Sequence, residues 1–226
     1  MVNISSEQRK GSGMSPMLVE SPPRLRSSTV AGRSLGLIAL GGICGLAWSA
    51  SLRGWMTQLA GAESSFTWTG TFLLVLLPGV LVDGLLGWGE ALRQLGGRRR
   101  WQWLALAPAL FLIALADPQI FSALIQTGFG GGAIGVVLVG LLGGYALAPR
   151  GPAWSRVAAG IFAMAGIAIS GFMTSGVQPI ATAHGAWAAV YLPSLLLVFC
   201  VACSIPHRPL PDRPDVMITR GEGDAP

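Results

Sequence analysis

The sequence has few charged residues, and this shortage excludes an ordinary soluble domain. Only 11% of the 226 residues are charged, whereas soluble domains carry about 25%. Between positions 34 and 205 only eleven residues are Arg, Asp or Glu, and most of these lie in short gaps between apolar runs. A soluble chain of this size needs more charge to cover its surface, so we expect the lipid bilayer to be the solvent.

Signatures of catalysis and of disulfide bonding are missing as well. The sequence has no G-x-S-G nucleophile motif, no H-E-x-x-H metal motif, no Walker loop and no aspartate-rich prenyl-diphosphate motif. The three cysteines give no disulfide framework. We therefore expect no cofactor, and an enzyme is the least favoured class of function. The net charge of +5 does not predict a nucleic-acid partner, because the basic residues flank the apolar runs.

Six apolar runs of about 20 residues are present, which is the length that a helix needs to cross the hydrocarbon core. They predict an all-α bundle of six transmembrane helices, occupying residues 34–205. The segments 1–33 and 206–226 are rich in Pro, Ser, Gly or charge, so we expect both to be disordered. The predicted spans are 35–52, 71–92, 101–125, 129–147, 154–174 and 182–204.

The basic residues are distributed unevenly among the links between these runs. The N-terminal segment, the second link, the fourth link and the C-terminal tail are all rich in arginine, and Arg53 is the only basic residue in the other links. Because cytoplasmic links carry the excess of Lys and Arg, both termini and links two and four are predicted to be cytoplasmic. This pattern is typical of a multi-pass protein of the plasma membrane.

Asp83 lies near the middle of the second span, about 19 Å deep at the helical rise of about 1.5 Å per residue. A carboxylate at that depth is costly, so it is by default a candidate for function. Gly79, Asp83, Gly87 and Glu90 share one face of the helix, and Pro78 could kink the helix above them. The functional hypothesis is a proton or cation path; the alternative is a hydrogen bond that packs Asp83 against a neighbouring helix. Glu90 could also be solvated or paired with the arginine three residues later.

A second group of polar residues is predicted at the outer surface. Arg53, Glu63, Asp117 and His184 could together form a pH-sensitive external site. Each has a simpler role as well. Asp117 precedes Pro118 and fits a helix N-cap that interrupts the third span, and a single interfacial histidine is commonly solvated.

Cys200, Cys203 and His207 follow the spacing C-x-x-C-x-x-x-H at the inner end of the sixth span. On one helix these residues could share a face and bind a metal ion. Pro206 is expected to end the helix before His207, and no fourth ligand is evident, so small packing thiols are the favoured interpretation.

Small residues recur at intervals of four in spans one, four and five. Gly41, Gly45 and Ser49 form such a stripe in span one, and Gly140 and Gly144 belong to one in span four. Small residues allow membrane helices to approach closely, so these stripes predict a tight bundle. The two glycine-rich runs also align with an offset of 99 residues, which is consistent with a weak 3+3 inverted repeat.

The first external link has its own pattern. Leu52, Trp55, Met56 and Leu59 lie on one helix face, which predicts a short helix in the outer interface that Gly61 can end. The region from about 46 to 108 resembles multi-pass membrane proteins that are widespread in actinobacteria and largely uncharacterised. The resemblance implies a membrane location and a topology, and it brings no catalytic residues. The matching residues are Trp55, Met56, Leu59, Ser64, Phe66, Thr67, Trp68, Gly70 and Thr71.

Three classes of function remain open at this point. The leading hypothesis is a transporter-like protein for a small solute or ion, with Asp83 as the binding or coupling carboxyl. The second is a structural or accessory subunit of a membrane complex in the cell envelope, and the third is a membrane-embedded enzyme that acts on lipid. Beyond the bilayer, the candidate partners are a small solute or ion, another membrane protein or a second copy of the chain.

Overall fold

The computed structural model describes residues 27–61, 64, 66–96, 101–118, 121–122, 125, 131–149 and 151–211. Within these ranges every regular element is helical, in agreement with the predicted all-α class. Glu63, the ends of the chain before 27 and after 211, and most of the arginines of the second link lie outside the described residues. The main elements are α1 Ser27–Ala60, α2 Trp68–Gln94, α3 Trp101–Ala116, α4 Gly131–Ala146, α5 Ala153–Val177 and α6 Ala183–Cys203.

Four of these helices, α1, α2, α5 and α6, are long and apolar enough to cross a membrane. The helices α3 and α4 are apolar but have only 16 residues each. The prediction of a helical membrane protein is therefore supported, whereas the number of six crossings is not established by length alone.

Two of the helices depart from α geometry. The N-terminal part of α2, Trp68–Leu76, is a π-helix that changes to an α-helix at Leu77, next to Pro78. The whole of α3 is a 3₁₀-helix, a form that rarely exceeds a few residues. It ends at Ala116, and the backbone N–H of Phe121 donates to the Asp117 carbonyl at 2.9 Å, so the chain turns helically again after the predicted break.

The ends of α1 and α6 differ from the predicted boundaries. The helix α1 begins at Ser27, inside the segment predicted to be disordered, and it continues without a break to Ala60. The stretch from Leu52 to Leu59 is thus the C-terminal end of α1 and does not form the separate interfacial helix that was predicted. Its Trp55 Nε1 donates to the carbonyl of Ala188 on α6 at 3.2 Å, so this stretch is held against the bundle. At the other end of the chain, α6 is followed by a short 3₁₀ turn that contains a buried Pro206.

Glycines bring the backbones of α1 and α2 together. A Cβ atom at Gly41 would clash with the Asp83 carbonyl, and one at Gly45 would clash with the Gly79 carbonyl. On the other helix, a Cβ at Gly79 would clash with Ser49. We call this contact the α1–α2 seam. It comprises Gly41, Gly45 and Ser49 of α1 and Gly79, Asp83 and Gly87 of α2.

Three aromatic rings connect α1, α3 and α6 in the core. Trp48 stacks on Phe199 with ring centroids 4.8 Å apart, and Phe111 lies 5.7 Å from Trp48 and 5.8 Å from Phe199. The indole N–H of Trp48 donates to the Leu195 carbonyl at 2.9 Å, which satisfies the polar atom of a side chain that is almost fully buried.

The glycine stripes that align in the sequence meet different partners. Gly41 and Gly45 of α1 face α2, whereas Gly140 and Gly144 of α4 face Phe199 and Cys203 of α6. In a 3+3 repeat α4 corresponds to α1 and α5 to α2, so the glycines of α4 would have to face α5. They face α6 instead, and the two contacts are not equivalent. The close helix packing predicted from the stripes is present, and the internal repeat does not extend to this packing.

We predict that a methyl group in the seam destabilises the bundle. Gly45→Ala would clash with the Gly79 carbonyl, so we expect it to lower the free energy of unfolding by about 1–3 kcal/mol. The matched control is Gly36→Ala on the same helix, where an added Cβ would meet no atom within 4 Å. The test is to heat both variants in detergent and to determine the melting temperature of each from the fraction of protein that remains monodisperse. Equal melting temperatures would contradict the importance of the seam.

Candidate functional site

Asp83 lies inside the α1–α2 seam, near the middle of the 27-residue helix Trp68–Gln94. Its backbone carbonyl faces Gly41, and a Cβ built on Gly45 would approach the Asp83 Cβ to 2.8 Å. The glycines predicted to share the face of Asp83 therefore serve helix packing. They bring the carboxyl group up against α1, where a larger neighbour would exclude it.

One carboxyl oxygen of Asp83, Oδ1, is buried, and among the described residues nothing donates a hydrogen bond to it. Buried polar oxygens are normally hydrogen-bonded, so an unsatisfied one inside a membrane helix indicates a place where a proton, an ion or another molecule can bind.

Two buried hydroxyl groups lie along the same contact towards the C-terminal end of α1. Ser49 is fully buried and donates to the Gly45 carbonyl at 2.7 Å. Thr71, in the π-helical part of α2, is also buried and accepts a hydrogen bond from Arg53 Nε at 3.3 Å. Arg53 follows Ser49 by one helical turn, so the seam leads from the Asp83 carboxyl past one hydroxyl to an arginine near the C-terminal end of α1.

Glu90 is bound by two side chains of its own helix. Arg93 Nε donates to Glu90 Oε2 at 2.8 Å and Arg93 Nη2 donates to Oε1 at 2.7 Å, which forms a bidentate ion pair. Gln94 also donates to Oε1 at 2.9 Å. The third Arg93 nitrogen, Nη1, donates to the Pro209 carbonyl at 3.1 Å and so ties the chain after α6 to the C-terminal end of α2. Pairing with Arg93, one of the two simple roles considered for Glu90, is thus what the structure contains.

The predicted outer residues contact different neighbours. The Arg53 guanidinium lies 4.6 Å from the centre of the Phe66 ring. His184 Nε2 and Gln58 Oε1 are 3.2 Å apart, and the imidazole stacks on Trp187. Asp117 lies instead on the wall of an apolar groove of about 370 Å³ between α2 and α3. The shared external site stays a prediction, because Glu63 lies outside the described residues.

The cysteine and histidine residues at the end of α6 are engaged in packing. Cys200 Sγ donates to the Val139 carbonyl at 3.3 Å, and Cys203 packs against Gly140 and Gly144. The His207 ring packs against Tyr145, with ring centroids 5.9 Å apart. In the part of the chain that the structure describes, no group of three His, Cys, Asp or Glu side chains could hold a metal ion.

Sequence reasoning named Asp83 and both stripes but missed the hydrogen bond from Arg93 to the Pro209 carbonyl. These two residues are 116 positions apart, and no local pattern indicates their contact. No family model, curated protein or solved structure matches the chain. The resemblance to actinobacterial membrane proteins therefore stays a prediction.

We predict that the two carboxyl groups of α2 differ in their importance for stability. Asp83→Asn removes no hydrogen bond at Oδ1 and keeps the shape of the side chain, so we expect the melting temperature to be unchanged. Glu90→Gln weakens a bidentate ion pair in which the Glu90 side chain is 17% exposed, so it should cost about 1 kcal/mol. Thermal denaturation in detergent compares the two variants. If Asp83→Asn is the more damaging, Asp83 acts as a structural contact.

Proposed function

We propose that this protein is a multi-pass protein of the plasma membrane that moves a small solute or ion, with Asp83 as its binding or coupling carboxyl. The observation that carries the proposal is the buried Oδ1 atom of Asp83, which lies near the middle of a helix long enough to cross a membrane and has no partner among the described residues. An ionisable side chain at that depth needs a role that offsets its cost.

Six crossings, with both termini in the cytoplasm, are part of the proposal. The helix α3 is short in residues, but a 3₁₀-helix rises about 2.0 Å per residue, so its 16 residues reach about 32 Å. The hydrocarbon core is about 30 Å thick, which makes α3 long enough to cross it. The helix α4 is equally apolar and packs between α3, α5 and α6, and its crossing follows from the alternating charge of the links.

We predict that the two ends of α3 lie on opposite sides of the membrane. Alkaline phosphatase is active only outside the cytoplasm, and it can be fused after Gly96 and after Asp117. We expect the fusion after Gly96 to be inactive and the fusion after Asp117 to be active, because α3 separates them. Equal activity of the two fusions would mean that α3 does not cross.

A second candidate function is a structural or accessory subunit of a membrane complex. The observation in its favour is the seam itself, because Gly79 and Gly87 are used for helix packing and do not line an open channel. In this case Asp83 would receive its hydrogen bond from a partner protein. The two candidates differ in whether water reaches position 83.

We predict that a thiol at position 83 reacts with a membrane-impermeant reagent from at least one side. The experiment replaces Cys44, Cys200 and Cys203 by Ala and then introduces Asp83→Cys, with labelling of intact cells and of inverted vesicles. Positions 79 and 87 are unsuitable because a side chain there would clash with α1.

The control for this labelling is Val82→Cys, because position 82 is next to position 83 and is fully buried. Glu90→Cys serves as the reference for the inner end, and it should react from the inside only. If position 83 is as unreactive as position 82 from both sides, the transporter proposal fails and the structural subunit is favoured.

A further inference from the structure

The surroundings of Asp83 are poor in oxygen ligands, and this limits which ion the carboxyl can bind. We propose that the ion is a proton, so that protons, and not Na⁺ or K⁺, would drive a transport cycle based on Asp83. This inference rests on the proposed function and names the coupling ion of the same site.

An alkali cation needs several oxygen atoms to replace its water shell. Membrane transporters commonly provide these oxygens from interrupted helices, whose unwound segments free backbone carbonyls. At the level of Asp83 neither helix of the seam is interrupted, since α1 runs from Ser27 to Ala60 and the α-helical part of α2 from Leu77 to Gln94. The carbonyls of both helices at this level therefore remain committed to helical hydrogen bonds.

Side chains do not make up for the missing carbonyls. Across the seam α1 presents Gly41 and Gly45, which have no side-chain oxygen, and Ser49, whose hydroxyl donates to the Gly45 carbonyl. On α2 itself the adjacent residues Val82 and Leu86 are buried and apolar. Among the described residues a cation here would find, besides the two oxygens of Asp83, the Ser49 hydroxyl and carbonyls such as those of Gly45 and Gly79, which belong to uninterrupted helices. A proton needs a single lone pair.

The charged and titratable groups near Asp83 are also few. On α6 the buried titratable groups are the thiols of Cys200 and Cys203, and α3 has no titratable residue between Trp101 and Ala116. On α1 the charged residues are Arg33 and Arg53, each about two helical turns from the level of Gly41 and Gly45. Arg53 binds Thr71, and on α2 Glu90 is paired with Arg93. No fixed positive charge among the described residues thus lies beside Asp83 to hold a carboxylate.

A protonated carboxyl group carries no charge and can remain in such an apolar contact, whereas an ionised one would need donors or a counter-ion. The buried Oδ1 atom without a donor fits the uncharged form. Loading with a proton would therefore allow the seam to stay closed, and loss of the proton would favour its opening to water.

The test uses the full-length protein in liposomes and dicyclohexylcarbodiimide, an apolar reagent that attacks protonated carboxyl groups. We expect modification of Asp83, detected by mass spectrometry, that declines as the pH rises and is the same in sodium, potassium and choline buffers. Asp83→Asn should abolish the modification of this peptide. Glu90→Gln, which leaves Asp83 intact, should retain it.

Other outcomes separate this inference from the proposed function. Protection of Asp83 by sodium or potassium at constant pH would overturn the inference that the coupling ion is a proton. The protein would then be a transporter coupled to that metal cation. No modification at any pH, together with a reactive thiol in Asp83→Cys, would mean that Asp83 is hydrated and ionised. This outcome would overturn proton coupling but not the transporter proposal. No modification together with an unreactive thiol would overturn both proposals.

Discussion

The close approach of the α1 and α2 backbones is the constraint on which the rest of the bundle depends. Lipid gives membrane helices no hydrophobic reason to associate, so packing at short distance has to supply the attraction. Gly41, Gly45 and Gly79 allow this, because each would clash with the facing helix if it carried even a Cβ atom. The contact then fixes Trp48, on an adjacent face of α1, where it stacks on Phe199 and bonds to α6.

The same closeness explains how a carboxyl group can occupy the interior. A seam of glycines leaves room for one longer side chain, and Asp83 is that side chain. Its position couples the chemistry of the carboxyl to the mechanics of the bundle, because water cannot reach Oδ1 while the two helices remain in contact. Any change that makes the carboxyl charged therefore acts directly on the contact that holds α1 in place.

Several parts of this arrangement could be predicted from the sequence, because they depend on local composition. The apolar runs predicted the helices, and the spacing of small residues at intervals of four predicted both faces of the seam. The position of Asp83 near the middle of its apolar run indicated that it is unusual. Gly61 was predicted to end a separate interfacial helix; it follows the end of α1 instead, with a positive φ of 54°. Which stripe faces which could not be predicted, since the partners of a helix are set by the whole bundle.

The remaining differences have the same physical origin. The stretch around Trp55 has the period of an interfacial helix, but that period is equally compatible with a longer α1, and the bond to Ala188 that decides between them spans 133 positions. The π-helical part of α2 and the 3₁₀ geometry of α3 also depend on hydrogen-bond register, which packing selects and which amino-acid preferences describe poorly. Glu90 had an arginine within reach, and the geometry of a helix turn favoured the pairing.

The seam also has a consequence for recognising distant relatives of this chain. Most lipid-facing positions accept any apolar residue, so the bulk of such a sequence can diverge until alignment fails. The seam tolerates no such drift, because a glycine that faces a backbone carbonyl has no substitute of similar size. A spaced pattern, G-x-x-x-G-x-x-x-S followed about thirty residues later by G-x-x-x-D-x-x-x-G, would therefore outlast overall similarity. Proteins that share this signature and little else would be expected to share the α1–α2 contact and its buried carboxyl.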